Sequence, residues 1–196
     1  DIPGTALYEG MPWGEWETYA EYLDLIAARS YTLDVGTQIA HGAVRFYAMG
    51  ERGRLNEDAT PDDVAAMARI VGEAVEAGAL GFSTSRTIGH RSLWGTPVPG
   101  TFAAFEELSA IAQAMGKVGR GVFEAIPAST VGQLGNLGGE HFTQEQENAL
   151  LAEVSRASGR PVTFTLVPSP DFDPDLWRTI LRLTAEANAH GAQLYP

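Results

Sequence analysis

The sequence contains no cysteine among its 196 residues, which excludes a disulfide framework, a thiolate metal site and a cysteine nucleophile. Positive charge is also scarce, because 13 Lys and Arg residues face 25 Asp and Glu residues and leave a net charge of −12. Phosphate binding needs the opposite balance of charge. Neither nucleic acid nor an anionic membrane surface is therefore an expected partner.

Long apolar runs are absent too. None approaches the roughly 18 residues that cross a membrane, and the first residues show neither the basic nor the apolar region of a signal peptide. We therefore expect a cytoplasmic protein. The chain does not begin with Met, which indicates that Asp1 is not its natural first residue.

What the sequence does contain is a repeated succession of helix, glycine and short apolar strand. Apolar residues make up 44% of the chain, and its length is enough for one domain with a sizeable core. Helix starts are predicted at Thr60-Pro61-Asp62-Asp63, at the capping box of Thr143 and Gln146, and at Asp173 with Pro174. Glycines that end the predicted helices are Gly78, Gly116, Gly159 and Gly191.

Repeated units of this polarity predict a parallel α/β protein. The expected strands are 35–46, 79–84, 119–126, 161–167 and 192–195. They are continuous apolar runs, which is typical of a parallel sheet buried on both faces. No glycine-rich phosphate motif follows a strand, which disfavours a Rossmann fold. A complete (β/α)8 barrel takes about 200 to 250 residues, so these strands predict an incomplete TIM-type barrel of about five βα units.

The incomplete barrel defines the expected domain organisation. Residues 1–196 are expected to form the central part of one barrel domain, with both ends of the barrel missing. An open barrel exposes strand edges, so we expect self-association unless other segments of the full-length chain complete the barrel.

The main candidate site is the stretch 78–102, where a short apolar strand runs into a polar loop. That loop carries Arg86, His90 and Arg91. Ligands of α/β proteins bind at the carboxyl ends of the strands, where such loops lie. The planar fork of an arginine suits a carboxylate ligand. The alternative is a loop whose Arg and His side chains only bond neighbouring carbonyl groups.

Two further residues are candidates because of where the predicted strands place them. Glu124 lies within an apolar strand, so we expect either an arginine partner or a protonated carboxyl, and both fit a site. Adjacent parallel strands lie about 4.8 Å apart, which predicts that Glu124 meets the cluster of Arg86, His90 and Arg91. His41 lies on the first predicted strand and is either a buried histidine bonded to backbone or a substrate-binding group. The other histidines are expected to be exposed, His141 in a loop and His190 at a helix C-terminus.

Several stretches resemble the D-aminoacylase branch of the amidohydrolase superfamily, the N-acyl-D-amino-acid deacylases. The resemblance covers most of residues 1–116, and beyond Gly121 it is architectural only. The stretches that carry it are Asp1-Ile2-Pro3-Gly4 through Pro12-Trp13 with Glu21-Tyr22-Leu23-Asp24; Asp34-Val35-Gly36 with His41-Gly42-Ala43-Val44-Arg45; Ala59-Thr60-Pro61-Asp62 through Gly81-Phe82-Ser83-Thr84; and Val98-Pro99-Gly100-Thr101-Phe102.

The resemblance implies a metal-dependent barrel that hydrolyses an amide bond with zinc or another divalent metal. Metal-binding residues of that family lie upstream of Asp1, downstream of Pro196 and on two middle strands. Here those strands read 122–126 and 163–167 and contain no histidine. We therefore expect no metal ligands in this chain and no hydrolase activity from the chain alone.

The expected roles in the full-length protein can be stated for each candidate. Glu124 and His90 are the expected catalytic groups, and Arg86, Arg91 and His41 the expected substrate-binding groups. The expected substrate is a small molecule that bears a carboxylate. The alternative function is a non-catalytic or divergent barrel that binds an acidic small molecule.

Overall fold

A computed structural model describes residues 4–168 and 173–196, so residues 1–3, which open the first of the resembling stretches, lie outside it. The strands are β1 (Ile39–Ala40), β2 (Gly81–Ser85), β3 (Val122–Ile126), β4 (Val162–Phe164) and β5 (Leu194–Tyr195). The helices are α1 (Gly4–Gly10), α2 (Tyr19–Ala27), α3 (His41–Met49), α4 (Glu51–Arg54), α5 (Pro61–Ala77), α6 (Phe105–Val118), α7 (Gln144–Ser158) and α8 (Leu176–Ala189), with a 3₁₀ turn at Gly135–Leu137. No helix within these ranges is both long and apolar enough to cross a membrane.

The strands form one open sheet in the order β1-β2-β3-β4-β5, and every neighbouring pair is parallel. Helices connect the strands, as the succession of helix, glycine and strand predicts. The predicted parallel α/β fold is therefore confirmed, including the adjacency of the second and third strands.

One face of the sheet packs against the helices. A row of apolar side chains crosses all five strands in register on this face: Ile39, Phe82, Phe123, Val162 and Leu194. All are buried in one core with residues of α5, α6 and α7, among them Met67, Leu108, Ile111 and Leu151. We call this the helix face of the sheet.

The opposite face, which we call the open face, is only partly covered by the described residues. The next row in register consists of Ala40, Ser83, Glu124, Thr163 and Tyr195. Each of these residues is half-buried or exposed. The prediction of strands buried on both faces is therefore wrong for this face, since β2 and β3 alternate between buried and half-buried residues.

The predicted strand at 35–46 is also wrong for most of its length. Only Ile39 and Ala40 pair with β2, and helix α3 begins at His41. The buried residues of this helix are His41, Val44, Arg45 and Met49, at the three-and-four spacing of a helix. A short apolar run does not by itself distinguish a helix from a strand. A Cβ at Gly36 would lie 2.5 Å from Leu80 Cδ1, so a side chain packs closely against this glycine.

Local signals predict the ends of the helices better. Gly78 and Gly159 are C-caps as predicted, whereas the C-cap of α6 is Gly119 and not Gly116, and that of α8 is His190, one residue before Gly191. The capping boxes of Thr60 with Asp63 and of Thr143 with Gln146 are both present. Helix α8 differs, since its N-cap is Asp175, while the carboxylate of Asp173 accepts a hydrogen bond from the N–H of Asp175 at 3.0 Å. The prediction for His190 is confirmed, because it is exposed and is the C-cap residue of α8.

Candidate functional site

The open face carries polar side chains where β2 and β3 approach their carboxyl ends. Ser85 is the last residue of β2 and lies on this face because side chains alternate along a strand. Its Oγ lies 2.8 Å from Nδ1 of His90, which the following loop brings back to the strand. His90 therefore contacts the same face of the sheet as Glu124.

Glu124 sits in the middle of β3, directly opposite Ser83 on one side and Thr163 on the other. The residue is half-buried. Within residues 4–168 and 173–196 its carboxylate makes neither a hydrogen bond to a side chain nor an ion pair, so the expected arginine partner is not found there. An acceptor group without a partner on a partly enclosed face is available to bind a ligand.

Arg86 is directed away from Glu124. Its side chain is fully buried on the helix face, where Nε lies 2.8 Å from Oε2 of Glu147 and Nη1 donates to the carbonyl of Ala103 at 2.9 Å. The guanidinium also lies over the ring of Phe142. The expected convergence of Arg86 with Glu124 does not occur. Side chains continue to alternate between the two faces one residue beyond the end of β2, so Ser85 lies on the open face and Arg86 on the helix face.

Arg91 lies in the loop and bonds carbonyl groups of two loops. Nη1 donates to the carbonyl of Gly95 and Nη2 to that of Leu137 at 3.3 Å. Its Nε is buried without a hydrogen-bond partner in the described parts of the chain. The guanidinium forms no ion pair there either, so its positive charge is not neutralised by a neighbouring side chain.

His41 begins α3 and is buried on the helix face. Its Nδ1 lies 2.8 Å from Oγ1 of Thr84, and its Nε2 lies 2.7 Å from Oε1 of Glu107. Arg45 donates to both oxygens of the same carboxylate, at 2.9 and 3.2 Å. His41 thus corresponds to the buried alternative, although its partners are side chains and not backbone groups.

The charges of this buried network favour a neutral imidazole. Burial lowers the pKa of His41, and the hydrogen bond to Glu107 opposes this effect without cancelling it. For Glu107, burial alone would raise the pKa of the carboxyl, but the hydrogen bonds from His41 and Arg45 lower it overall. Because Arg45 already neutralises Glu107, a proton on His41 would leave an excess positive charge in the core.

This arrangement predicts a loss of stability on acidification. Below the ordinary histidine pKa of about 6.5 the unfolded chain binds a proton that buried His41 resists, so the free energy of unfolding falls as the pH falls. Between about pH 7 and pH 5 we expect the free energy of unfolding to decrease because of this group. Urea unfolding at a series of pH values measures it.

The matched variants for that measurement are His41→Gln and His190→Gln. His41→Gln should flatten the pH dependence, whereas His190→Gln, at an exposed helix end, should not change it. Some dependence of stability on pH should remain in His41→Gln, because the pKa of His141 is also lowered, mainly by burial and also by the charge of Arg86. An unchanged slope in His41→Gln would contradict the neutral assignment.

Several residues of these networks were not singled out from the sequence. Glu107 and Glu147 are fully or almost fully buried, and each belongs to the apolar side of its helix. Glu107 precedes Ile111 by four residues and Glu147 precedes Leu151 by four, so helical periodicity gave a usable signal for both. Ser85 gave none, since a serine at the end of a strand is unremarkable.

A metal ion has no evident binding site among the described residues. No group of three or more His, Asp or Glu side chains within 4–168 and 173–196 is placed to hold one. Glu124 is the single acidic residue in β3 and β4, and neither strand has a histidine. The donor set within residues 4–168 and 173–196 therefore does not fit a metal centre.

Comparison with known proteins places this geometry in a known fold. No protein-family model and no curated protein matches the chain. Among solved structures, N-acyl-D-glutamate deacylase from Bordetella bronchiseptica matches 90% of the chain with a TM-score of 0.67 and 19% sequence identity. A D-aminoacylase described as defining a novel subset of amidohydrolases matches the same share with a TM-score of 0.64 and 20% identity. The chain has the fold of the D-aminoacylase barrel.

The match covers 33% of the deacylase and 32% of the D-aminoacylase, so the chain spans about a third of the length of these proteins. Because the D-aminoacylase fold is a TIM-type barrel, the five-stranded open sheet is an incomplete barrel, as the sequence predicts. Its open face corresponds to the interior of a barrel, and the loop with His90 and Arg91 lies at the carboxyl ends of the strands.

Proposed function

We propose that this chain is the central part of an amidohydrolase that cleaves the amide bond of an N-acyl amino acid. The observation that carries the proposal is the position of Glu124 and His90 on the open face of a D-aminoacylase fold, near the carboxyl ends of its strands. The activity is proposed for the full-length protein, with residues 1–196 as part of one barrel domain. The cytoplasm is its proposed location.

Metal dependence belongs to the full-length protein in this proposal. One solved neighbour is complexed with zinc and a phosphonate inhibitor, and another is described by the binuclear metal centre of D-aminoacylase. Since the described residues of this chain do not fit such a centre, we assign no step of the reaction to a metal.

The proposed roles of the two catalytic groups follow from their partners. The carboxylate of Glu124 has no side-chain partner in the described residues. It accepts a proton from the attacking water while the oxygen of that water forms a bond to the amide carbon. His90 has Nε2 left for the substrate, because Ser85 occupies Nδ1. It protonates the amine nitrogen as the C–N bond breaks, which yields a carboxylic acid and a free amine.

Arg91 is the proposed partner of the substrate carboxylate. Of the three residues expected to bind substrate, Arg86 and His41 are buried against Glu147 and Glu107. We propose that these two support the site from the helix face. Arg91 keeps an un-neutralised charge in the loop at the carboxyl end of β2, in a chain whose net charge is −12.

The test is an assay of the full-length protein with N-acyl-D- and N-acyl-L-amino acids, with release of free amine as the readout and with a chelator in a parallel series. Hydrolysis of at least one N-acyl amino acid is expected. Binding without hydrolysis, measured by calorimetry, would instead support the alternative of a barrel that holds an acidic small molecule. Neither binding nor hydrolysis would reject both.

Replacement of Arg91 by alanine is expected to raise KM by about 10- to 100-fold, because a hydrogen bond to a charged group contributes about 1.5 to 3 kcal/mol. The effect on kcat should be small. The control is a substrate whose carboxylate is converted to an amide, which the native protein and Arg91→Ala should bind equally weakly. An equal loss of affinity for both substrates in the variant would show that the loop is damaged and that Arg91 does not bind the carboxylate.

A further inference from the structure

We propose that Ser85 is a positioning residue for His90, fixing the imidazole on the open face and leaving Nε2 to exchange protons with the substrate. The proposal rests on the proposed function, in which His90 is a proton donor. It is carried by the hydrogen bond of 2.8 Å between Ser85 Oγ and His90 Nδ1 and by the rigidity of both residues.

The position of Ser85 is fixed by the neighbouring strand β3 and by the residue that follows it, Arg86. Ser85 pairs in register with Ile126 of β3, and the N–H of the next residue, Arg86, donates to the carbonyl of Ile126 at 2.8 Å. The Arg86 side chain is then held by Glu147 in a fully buried ion pair. The strand end therefore cannot shift without breaking buried interactions, and Oγ of Ser85 is a fixed point.

The backbone of His90 is held as well. Its N–H donates to the carbonyl of Thr87 at 3.3 Å, and its carbonyl accepts from the N–H of Val98 at 3.1 Å. Glu140 anchors the turn before it, since its carboxylate accepts from the hydroxyl of Thr87 and from the N–H of Ile88. With the backbone held in this way, rotation of the ring is the freedom that remains, and Ser85 restricts it.

A hydroxyl partner suits a histidine that must both take up and return a proton. The Ser85 hydroxyl can donate to a bare Nδ1 or accept from a protonated one, by rotation of its own hydrogen. Nε2 of His90 can therefore carry a proton or accept one while the hydrogen bond to Ser85 persists. A carboxylate in the same place would only accept, and would favour the protonated ring.

The experiment uses the full-length protein labelled with ¹⁵N-histidine and the variants Ser85→Ala and Ser85→Thr. Ser83→Ala is the matched control, because Ser83 lies on the same face of the same strand, two residues earlier. Two-dimensional NMR of the imidazole nitrogens reports which nitrogen of each ring carries the proton, and His90→Gln identifies the signals of His90. Steady-state kinetics against pH are measured on the same samples.

Ser85→Ala is expected to change the His90 nitrogen signals. It is also expected to lower kcat about tenfold, which is a fraction of the usual contribution of acid–base catalysis, and to leave KM within about twofold of the native value. The pH profile of kcat should shift as well. Ser85→Thr, which keeps the hydroxyl, should restore the His90 signals and kcat to their native values. Ser83→Ala should leave the His90 signals as they are in the native protein.

Unchanged His90 signals in Ser85→Ala would overturn the proposal. Changed His90 signals in Ser85→Ala together with a native kcat and pH profile would overturn the role of Ser85 in catalysis, since the hydrogen bond would then only stabilise the loop. If the full-length protein hydrolyses no N-acyl amino acid, the proposed function fails, and the catalytic role of Ser85 fails with it. The NMR signals still decide whether Ser85 holds the ring.

Discussion

Replacement of Glu147 by alanine is expected to lower the free energy of unfolding by about 3 to 5 kcal/mol, because it leaves Arg86 charged and unpaired in the core. Both side chains are completely shielded from solvent, and the single Nε–H of Arg86 is shared between the two carboxylate oxygens of Glu147, at 3.0 and 2.8 Å. The remaining bond, from Nη1 to the carbonyl of Ala103, does not neutralise the charge. Urea unfolding followed by circular dichroism measures the loss.

The matched control is Glu145→Ala, which removes an exposed carboxylate from the first turn of the same helix. It should cost less than about 1 kcal/mol. If Glu147→Ala does not fold, the double variant Arg86→Met/Glu147→Leu provides the test, since replacing a buried ion pair with apolar residues is often neutral. A loss in Glu147→Ala no larger than that in Glu145→Ala would show that the pair contributes little.

Replacement of Glu124 by glutamine is expected to lower kcat of the full-length protein by about 10²- to 10⁴-fold, the usual contribution of a general base. Glutamine keeps the shape of the side chain but cannot accept the proton. The fold should be unaffected, because the carboxylate makes no ion pair or side-chain hydrogen bond within residues 4–168 and 173–196. Turnover and the circular dichroism spectrum are the measurements.

The second variant for this test is Glu124→Asp, which retains a carboxylate but withdraws it by one methylene group. It should keep part of the turnover that Glu124→Gln loses. A Glu124→Gln protein with native turnover would remove Glu124 from the reaction. The assignment of the fold would not be affected.

The features that were predictable from the sequence depend on residues close together in the chain. The helix start at Thr60 and the left-handed C-cap at Gly159 depend on neighbouring residues, and so the sequence predicts them. The succession of helix, glycine and strand then fixed the parallel sheet. The error at His41 has the same origin, because a short apolar run with glycines is locally compatible with a strand and with a helix.

The partners of the charged side chains were not predictable. Arg86 lies 61 residues from Glu147, and His41 lies 66 residues from Glu107. Composition and spacing suggested that Arg86 would meet Glu124, which lies on the adjacent strand. The partner of Arg86 depends on which face of β2 its side chain occupies. Phe82, Thr84 and Arg86 lie on the helix face, and Ser83 and Ser85 lie on the open face.

The alternation along β2 also bears on how such a protein tolerates change. Residues that hold the fold together and residues available for chemistry occupy alternate positions of the same strand, with Phe82, Thr84 and Arg86 in the first set. Substitutions at Ser85 or Glu124 therefore change the open face without creating a cavity in the core that contains Phe82 and Phe123. A lineage with this sheet can therefore vary the side chains of its open face while its thermal tolerance stays nearly constant.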